Sequence, residues 1–123
     1  MESKTQMMDF KTWKNMILEV AAQIADHEYQ RRSWFGEGEH VSSPDELYCG
    51  FFDDAMIEEF LASHSPAVTD VQRRAATNLI NLMNQFASIA PEVLDPTEVI
   101  DDPRWEQIRH AAGLFVGAMN EAP

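Results

Sequence analysis

The sequence predicts an all-α protein, a single-domain bundle of about four amphipathic helices spanning residues 1–123. Three observations predict it. Apolar residues recur at alternating spacings of three and four in well-separated segments, the period of one helix face. Serine, threonine or aspartate stands just ahead of three of those segments, where a side-chain oxygen can accept from free first-turn amides. No segment alternates with a period of two, and no Asn-Gly hairpin signal competes.

The first helix is predicted over about 10–33. After Asp9, the residues Phe10, Trp13, Ile17, Val20 and Ile24 form one stripe, which His27, Arg31 and Trp34 continue and Gly36 and Gly38 end. On that stripe His27 reads as a half-buried, satisfied histidine. The second helix is predicted over about 44–62. Ser43 can cap it, Pro44 suits the first turn, and Glu46 is placed to complete a capping box. Gly50 and the Asp53-Asp54 pair predict a bend or a split within it, because aspartate readily caps a new start.

Thr69-Asp70-Val71-Gln72 repeats the capping signal for a third helix, about 70–88. Val71, Ala75, Leu79, Leu82, Met83 and Phe86 form its apolar face, and Pro91 follows its end. Asp102-Pro103 opens a fourth helix, about 103–120, with Trp105, Ile108, Ala112, Phe115 and Met119 in register. A short turn around Pro96 to Ile100 is expected before it. The expected core comprises Phe10, Trp13, Ile17, Val20, Leu47, Phe51, Leu79, Leu82, Trp105, Ile108 and Phe115. Trp34-Phe35 either folds under the glycine loop or joins a contact surface.

Composition narrows the function classes. The one cysteine, Cys49, allows no internal disulfide and no cysteine-based zinc site, and reads as a small core residue. No apolar run approaches the roughly 20 residues that span a bilayer. The opening MESKTQMMDF lacks a signal-peptide pattern, so a cytoplasmic location is expected. The formal net charge is −12. Such a chain is repelled by nucleic acid and by anionic membranes, so neither is an expected partner.

Catalytic and metal chemistry lack a pattern. A di-iron bundle needs Glu-x-x-His on two helices and two further glutamates. Here Glu37 and His40 form that spacing in a glycine-rich loop, and Glu106 with His110 makes one i,i+4 pair. Gly36-Glu37-Gly38-Glu39 would repel a phosphate rather than cradle it. His27, His40, His64 and His110 are scattered, and no serine or cysteine has an activating neighbour in sequence. The expectation is a protein with no enzymatic activity, no cofactor and no metal.

The charge distribution carries more information. Between Arg32 and Arg73 there is no lysine or arginine, yet Glu37, Glu39, Asp45, Glu46, Asp53, Asp54, Glu58, Glu59 and Asp70 all lie there. Acids near helix starts suit the dipole, and a solvated face would account for them. Ordinary exposed helices, however, mix signs and gain i,i+4 pairs. The other reading is a surface that binds a cation-rich partner. Its candidate residues are Glu37, Glu39, Glu46, Asp53, Asp54, Glu58 and Glu59, with Asp54 and Glu58 expected on one helix face.

The run SSPDELYCGFFDDAMIEEFL at 42–61 and the later DDPRWEQIRHAAGLF at 101–115 resemble bacterial immunity proteins. These are the cognate antidotes of contact-dependent growth inhibition and related polymorphic toxin systems. The resemblance is carried by these two blocks, 20 and 15 residues of the 123. It implies a non-enzymatic cytoplasmic protein that binds one toxin domain tightly and blocks its active site or substrate access. Many such toxins are nucleases with basic grooves, which an acidic surface would complement. Contact residues do not transfer between members of so diverse a family, so the resemblance implies a role and assigns no site. Two other readings stay open: a small helical enzyme or ligand-binding domain with an inter-helix pocket near His27, Trp34 and Tyr48, and an adaptor for a basic peptide.

Overall fold

The computed structural model describes residues 9–37, 41–63, 67–89 and 95–120. All regular structure among them is helical. Helix α1 (Phe10–Ala25) starts where Asp9 accepts a hydrogen bond from the Thr12 amide at 2.7 Å. It ends at Asp26, whose extended backbone interrupts the helix while its carboxylate accepts from the Tyr29 amide at 3.0 Å. Helix α2 (His27–Trp34) therefore starts anew. The single helix expected over 10–33 is two, because Asp26 caps a second start inside a continuous apolar period.

Between 44 and 63 the chain forms one bent, joined helix. Helix α3 (Pro44–Tyr48) is capped by Ser43, whose hydroxyl accepts from the Glu46 amide at 3.1 Å. A π-helical stretch, Cys49–Asp54, continues it, and helix α4 (Ile57–Ser63) follows. Helix α5 (Asp70–Ile89) opens on the expected capping box. The Thr69 hydroxyl accepts from the Gln72 amide at 3.1 Å, and the Gln72 side chain accepts from the Thr69 amide at 3.0 Å. Helix α6 (Pro96–Val99) is the short turn before α7 (Pro103–Asn120), and Asp102 caps α7 through the Arg104 amide at 2.8 Å. With 44–63 taken as one unit, the described residues form six helices rather than about four.

Helix α7 packs between α1 and α5, and the joined helix lies across them. Trp105 is fully buried at the centre, with the rings of Phe86, Trp34 and Tyr48 at 5.7, 5.9 and 6.3 Å. Of the expected core, Ile17, Leu47, Phe51, Leu79, Trp105, Ile108 and Phe115 are buried. Phe10, Trp13, Val20 and Leu82 are partly buried and pack against that core. Three expectations are corrected. His27 is exposed because the break at Asp26 turns it off the α1 stripe, and Cys49 is exposed on the outer side of the joined helix. Val71 is also exposed: α5 buries Gln72, Ala76 and Ile80 beside the expected Leu79, Met83 and Phe86, so Gln72 takes the place expected of Val71 at the start of the helix.

Polar groups at the break are tied into this core. Gln30 is fully buried, and its amide nitrogen donates to the helix-end carbonyls of Gln23 and Ile24 at 2.9 and 2.7 Å. Its oxygen accepts from Trp105 Nε1 at 3.0 Å and from the Arg109 guanidinium at 3.1 Å. Arg109 is itself buried and holds Glu106 as an ion pair. One side chain thus ends α1, orients the central tryptophan and partners a buried cation.

Candidate protein-binding surface

The joined helix is held by its aromatic side. Leu47, Phe51, Ala55, Ile57, Phe60 and Leu61 are buried; Asp53-Asp54 and Glu58-Glu59 fall between these anchors, and Asp45-Glu46 between the buried Pro44 and Leu47. Phe51 meets Phe115 edge-on at 6.3 Å, and Phe60 stacks on Phe10 at 5.4 Å. The Tyr48 hydroxyl donates to the Met83 carbonyl at 2.7 Å, tying the segment to α5. Burial pushes the Tyr48 phenol well above its ordinary titration range, with the nearby Asp45 charge acting in the same direction.

The bend has a definite construction. The Ala55 amide donates to the Gly50 carbonyl at 2.8 Å, a π-type bond one residue longer than the α-helical one. Trp13 Nε1 on α1 donates to the Ala55 carbonyl at 2.6 Å. Met56 then takes a positive φ of 52°, which ends the π-helical path and lets α4 leave in a new direction. The Cα of Gly50 packs under Val20, whose methyls would lie 3.4 and 3.5 Å from an added Cβ.

This framework exposes Asp45, Glu46, Asp53, Asp54, Glu58 and Glu59. Asp45 and Glu46 sit in the first turn of α3, and Glu58 and Glu59 in the first turn of α4. Both positions favour negative charge, because the free amides of a helix start face it. Asp53 and Asp54 have no such support. They end the π-helical stretch, at the negative end of its dipole, which disfavours a carboxylate. Neither carboxylate makes a hydrogen bond or ion pair among the described residues.

Four acids elsewhere are paired with arginines, while Glu19, Asp70, Glu98 and Asp101 are exposed with no ion pair among the described residues. Arg31 holds Glu28 at 2.5 Å and Glu37 at 3.0 Å, Arg104 holds Asp102 at 2.6 Å, and Arg109 holds Glu106. Hydrogen bonds from these arginines hold Glu28, Asp102 and Glu106 below the usual carboxylate range. No ion pair among the described residues involves an acid of 44–63.

Of the residues expected to bind a partner, Glu46, Asp53, Asp54, Glu58 and Glu59 are exposed on the joined helix. Glu37 is exposed at the end of α2 and already paired with Arg31. Glu39 lies outside the described residues. Asp54 and Glu58 do not stand one helical turn apart, because the left-handed Met56 separates them.

The residues expected near an inter-helix pocket have other roles. The Tyr48 hydroxyl is bonded to the α5 backbone, and Trp34 is buried against Trp105. His27 opens on a shallow surface cleft with Ala25, Glu106, Arg109 and His110. Ser33 Oγ and Trp34 Nε1 are buried without a hydrogen-bond partner among the described residues. No group of three or more His, Cys, Asp or Glu among those residues is arranged to hold a metal. None of the described helices is long and apolar enough to cross a membrane.

Comparisons with protein-family models, curated proteins and solved structures find no significant match for this chain.

Proposed function

We infer that this protein is a cytoplasmic, non-enzymatic immunity protein that binds and neutralises a cognate toxin domain bearing a basic groove. The supporting observation is the placement of Asp53 and Asp54. They are exposed at a helical end that disfavours negative charge, and no cation is paired with them among the described residues. A merely solvated face places acids at helix starts, as Asp45, Glu46, Glu58 and Glu59 are. Asp53 and Asp54 add charge where the fold gains nothing from it. A basic partner supplies the missing compensation, and complementary fields accelerate encounter. Charge alone is screened within about 8–10 Å in physiological salt, so apolar contacts beside the acids would have to supply lasting affinity.

The test uses the C-terminal domain of a large secreted protein encoded immediately upstream of this chain. Co-expression should protect cells from that domain, and the purified pair should form a complex. Changing Asp53, Asp54, Glu58 and Glu59 to lysine should slow association in stopped-flow binding, with the deficit shrinking as salt is raised. Equal association rates for both proteins at low salt would place the contact elsewhere. Equal binding to unrelated basic peptides would make the chain an adaptor instead.

A further inference from the structure

We propose that the outer face of α5 and α7 is a self-association surface that pairs two copies of this chain. The inference is independent of the toxin-binding reading and concerns the other side of the molecule. Helix α7 turns Phe115 towards the joined acidic helix, where it meets Phe51. With 3.6 residues per turn, His110, Gly113, Leu114 and Gly117 form the opposite side of α7, and all four are exposed.

That side is depleted of charge in a way that the rest of the molecule is not. From Ala75 to Ile89, α5 contains no charged residue, in a chain whose net charge is −12. From Gln107 to Asn120, α7 contains one arginine, Arg109, which is buried and bonded inward. Asn78 and Leu82 of α5 face His110, Ala111 and Leu114 of α7 across one open groove, and Glu106, held by Arg109, stands at its edge. Large apolar side chains stand out along the same helices: Val71 is 61% exposed, Ile89 59% and Leu114 57%. A charge-depleted centre with apolar anchors and charges at the rim is the anatomy of a protein–protein contact.

Charge identifies the occupant. A basic partner is drawn to the joined acidic helix, not to a neutral face. A second copy carries the same strong negative charge and is repelled from every acidic surface. It can approach closely only where both surfaces are neutral. A two-fold pairing of this face with itself leaves both acidic helices directed outward. The neutral stretch of α5, Ala75 to Ile89, spans about 22 Å, and a helix pair is about 20 Å wide. That gives roughly 450 Å² per copy and roughly 900 Å² in total, the size of a weak, reversible contact.

The experiment is sedimentation velocity and light scattering on the full chain over a micromolar concentration series, at low and high salt. The expected result is a two-chain mass whose association tightens as salt screens the mutual repulsion. Leu114→Glu should weaken association on the order of 100-fold by burying an unpaired charge in each copy. It should leave the circular-dichroism spectrum unchanged, because Leu114 is exposed in the single chain. The quadruple lysine variant of the acidic helix should associate at least as tightly as wild type. A wild-type protein that stays monomeric throughout the series would overturn the proposal. So would a dimer that tolerates Leu114→Glu, or one that the lysine variant abolishes.

Discussion

Gln30 Oε1 accepts a hydrogen bond from Trp105 Nε1 at 3.0 Å, joining the helix that follows the Asp26 break to the centre of the core. The same side chain partners the Arg109 guanidinium and caps the Gln23 and Ile24 carbonyls. Removing it leaves Trp105 Nε1 without its acceptor and takes one partner from the Ile24 carbonyl. It also takes one from Arg109, which keeps Glu106 and the Ile100 carbonyl, and one from the Gln23 carbonyl, which keeps the Asp26 amide. Gln30→Ala should therefore lower stability by about 2–4 kcal/mol, near the upper end for a single polar deletion. Urea unfolding measures it, with the exposed Gln85→Ala as a control expected within about 0.5 kcal/mol of wild type.

The two buried tryptophans should respond differently to loss of the indole nitrogen. Trp105 Nε1 is bonded to Gln30, whereas Trp34 Nε1 is buried with no partner among the described residues. Phenylalanine removes ring volume at both positions, but only at Trp105 does it remove a hydrogen bond. Trp105→Phe should cost about 1–2 kcal/mol more than Trp34→Phe. Equal losses in thermal unfolding would show that the Gln30 bond contributes nothing.

The helix period and the caps at Ser43, Thr69 and Asp102 were legible because each is a local signal, readable within four residues. The break at Asp26 was not, because the apolar spacing runs through it without a gap. Gln30 went unread for a related reason: a glutamine between two helices carries no pattern until the carbonyls around it are placed. The exposure of Asp53, Asp54, Glu58 and Glu59 followed from composition. Their separation by Met56 did not, since a left-handed position usually announces itself by glycine or asparagine. The pairing of Glu37 with Arg31 crosses the end of α2, beyond the i,i+4 rule that sequence supplies.

Met56 offers a direct check of the joint. At φ 52° a β-branched residue is strongly disfavoured, while glycine adopts that conformation freely. Met56→Val should lower stability by about 1–2 kcal/mol. Met56→Gly exchanges some side-chain contact for backbone relief and should stay within about 1 kcal/mol of wild type. Valine tolerated better than glycine in chemical denaturation would rule out a left-handed joint.

Opposite ends of the pH scale report on two different groups. Burial raises the Tyr48 phenol in the folded state, so its contribution is fully present below the ordinary value of 10.0. It is lost as pH rises from there through the folded value. Asp102 is held down chiefly by its hydrogen bond with Arg104, so its contribution is present above 3.8 and disappears as pH falls through the folded value. Urea midpoints should show Tyr48→Phe with a flatter alkaline decline than wild type. Asp102→Asn, which keeps a capping side chain, should differ from wild type at neutral pH and converge with it in strong acid.

The glycines of α7 separate what the single chain needs from what a partner needs. Gly113 and Gly117 lie inside the helix on its exposed side, and a Cβ at either would meet no atom within 4 Å. Glycine in a helix interior is about 0.8–1 kcal/mol less favourable than alanine, partly because its unfolded chain is more mobile. The fold of one chain gives neither position a steric reason to be glycine. Gly113→Ala with Gly117→Ala should therefore raise stability by roughly 1.5–2 kcal/mol in the Leu114→Glu background, where self-association does not contribute. Gly50→Ala makes a useful contrast, because its new methyl would rest against Val20 in the less regular π-helical stretch and should gain less. Thermal unfolding of the three proteins decides it. No gain from the α7 pair would mean that the helix is already frayed there, and would remove the rigid neutral face on which the two-copy pairing depends.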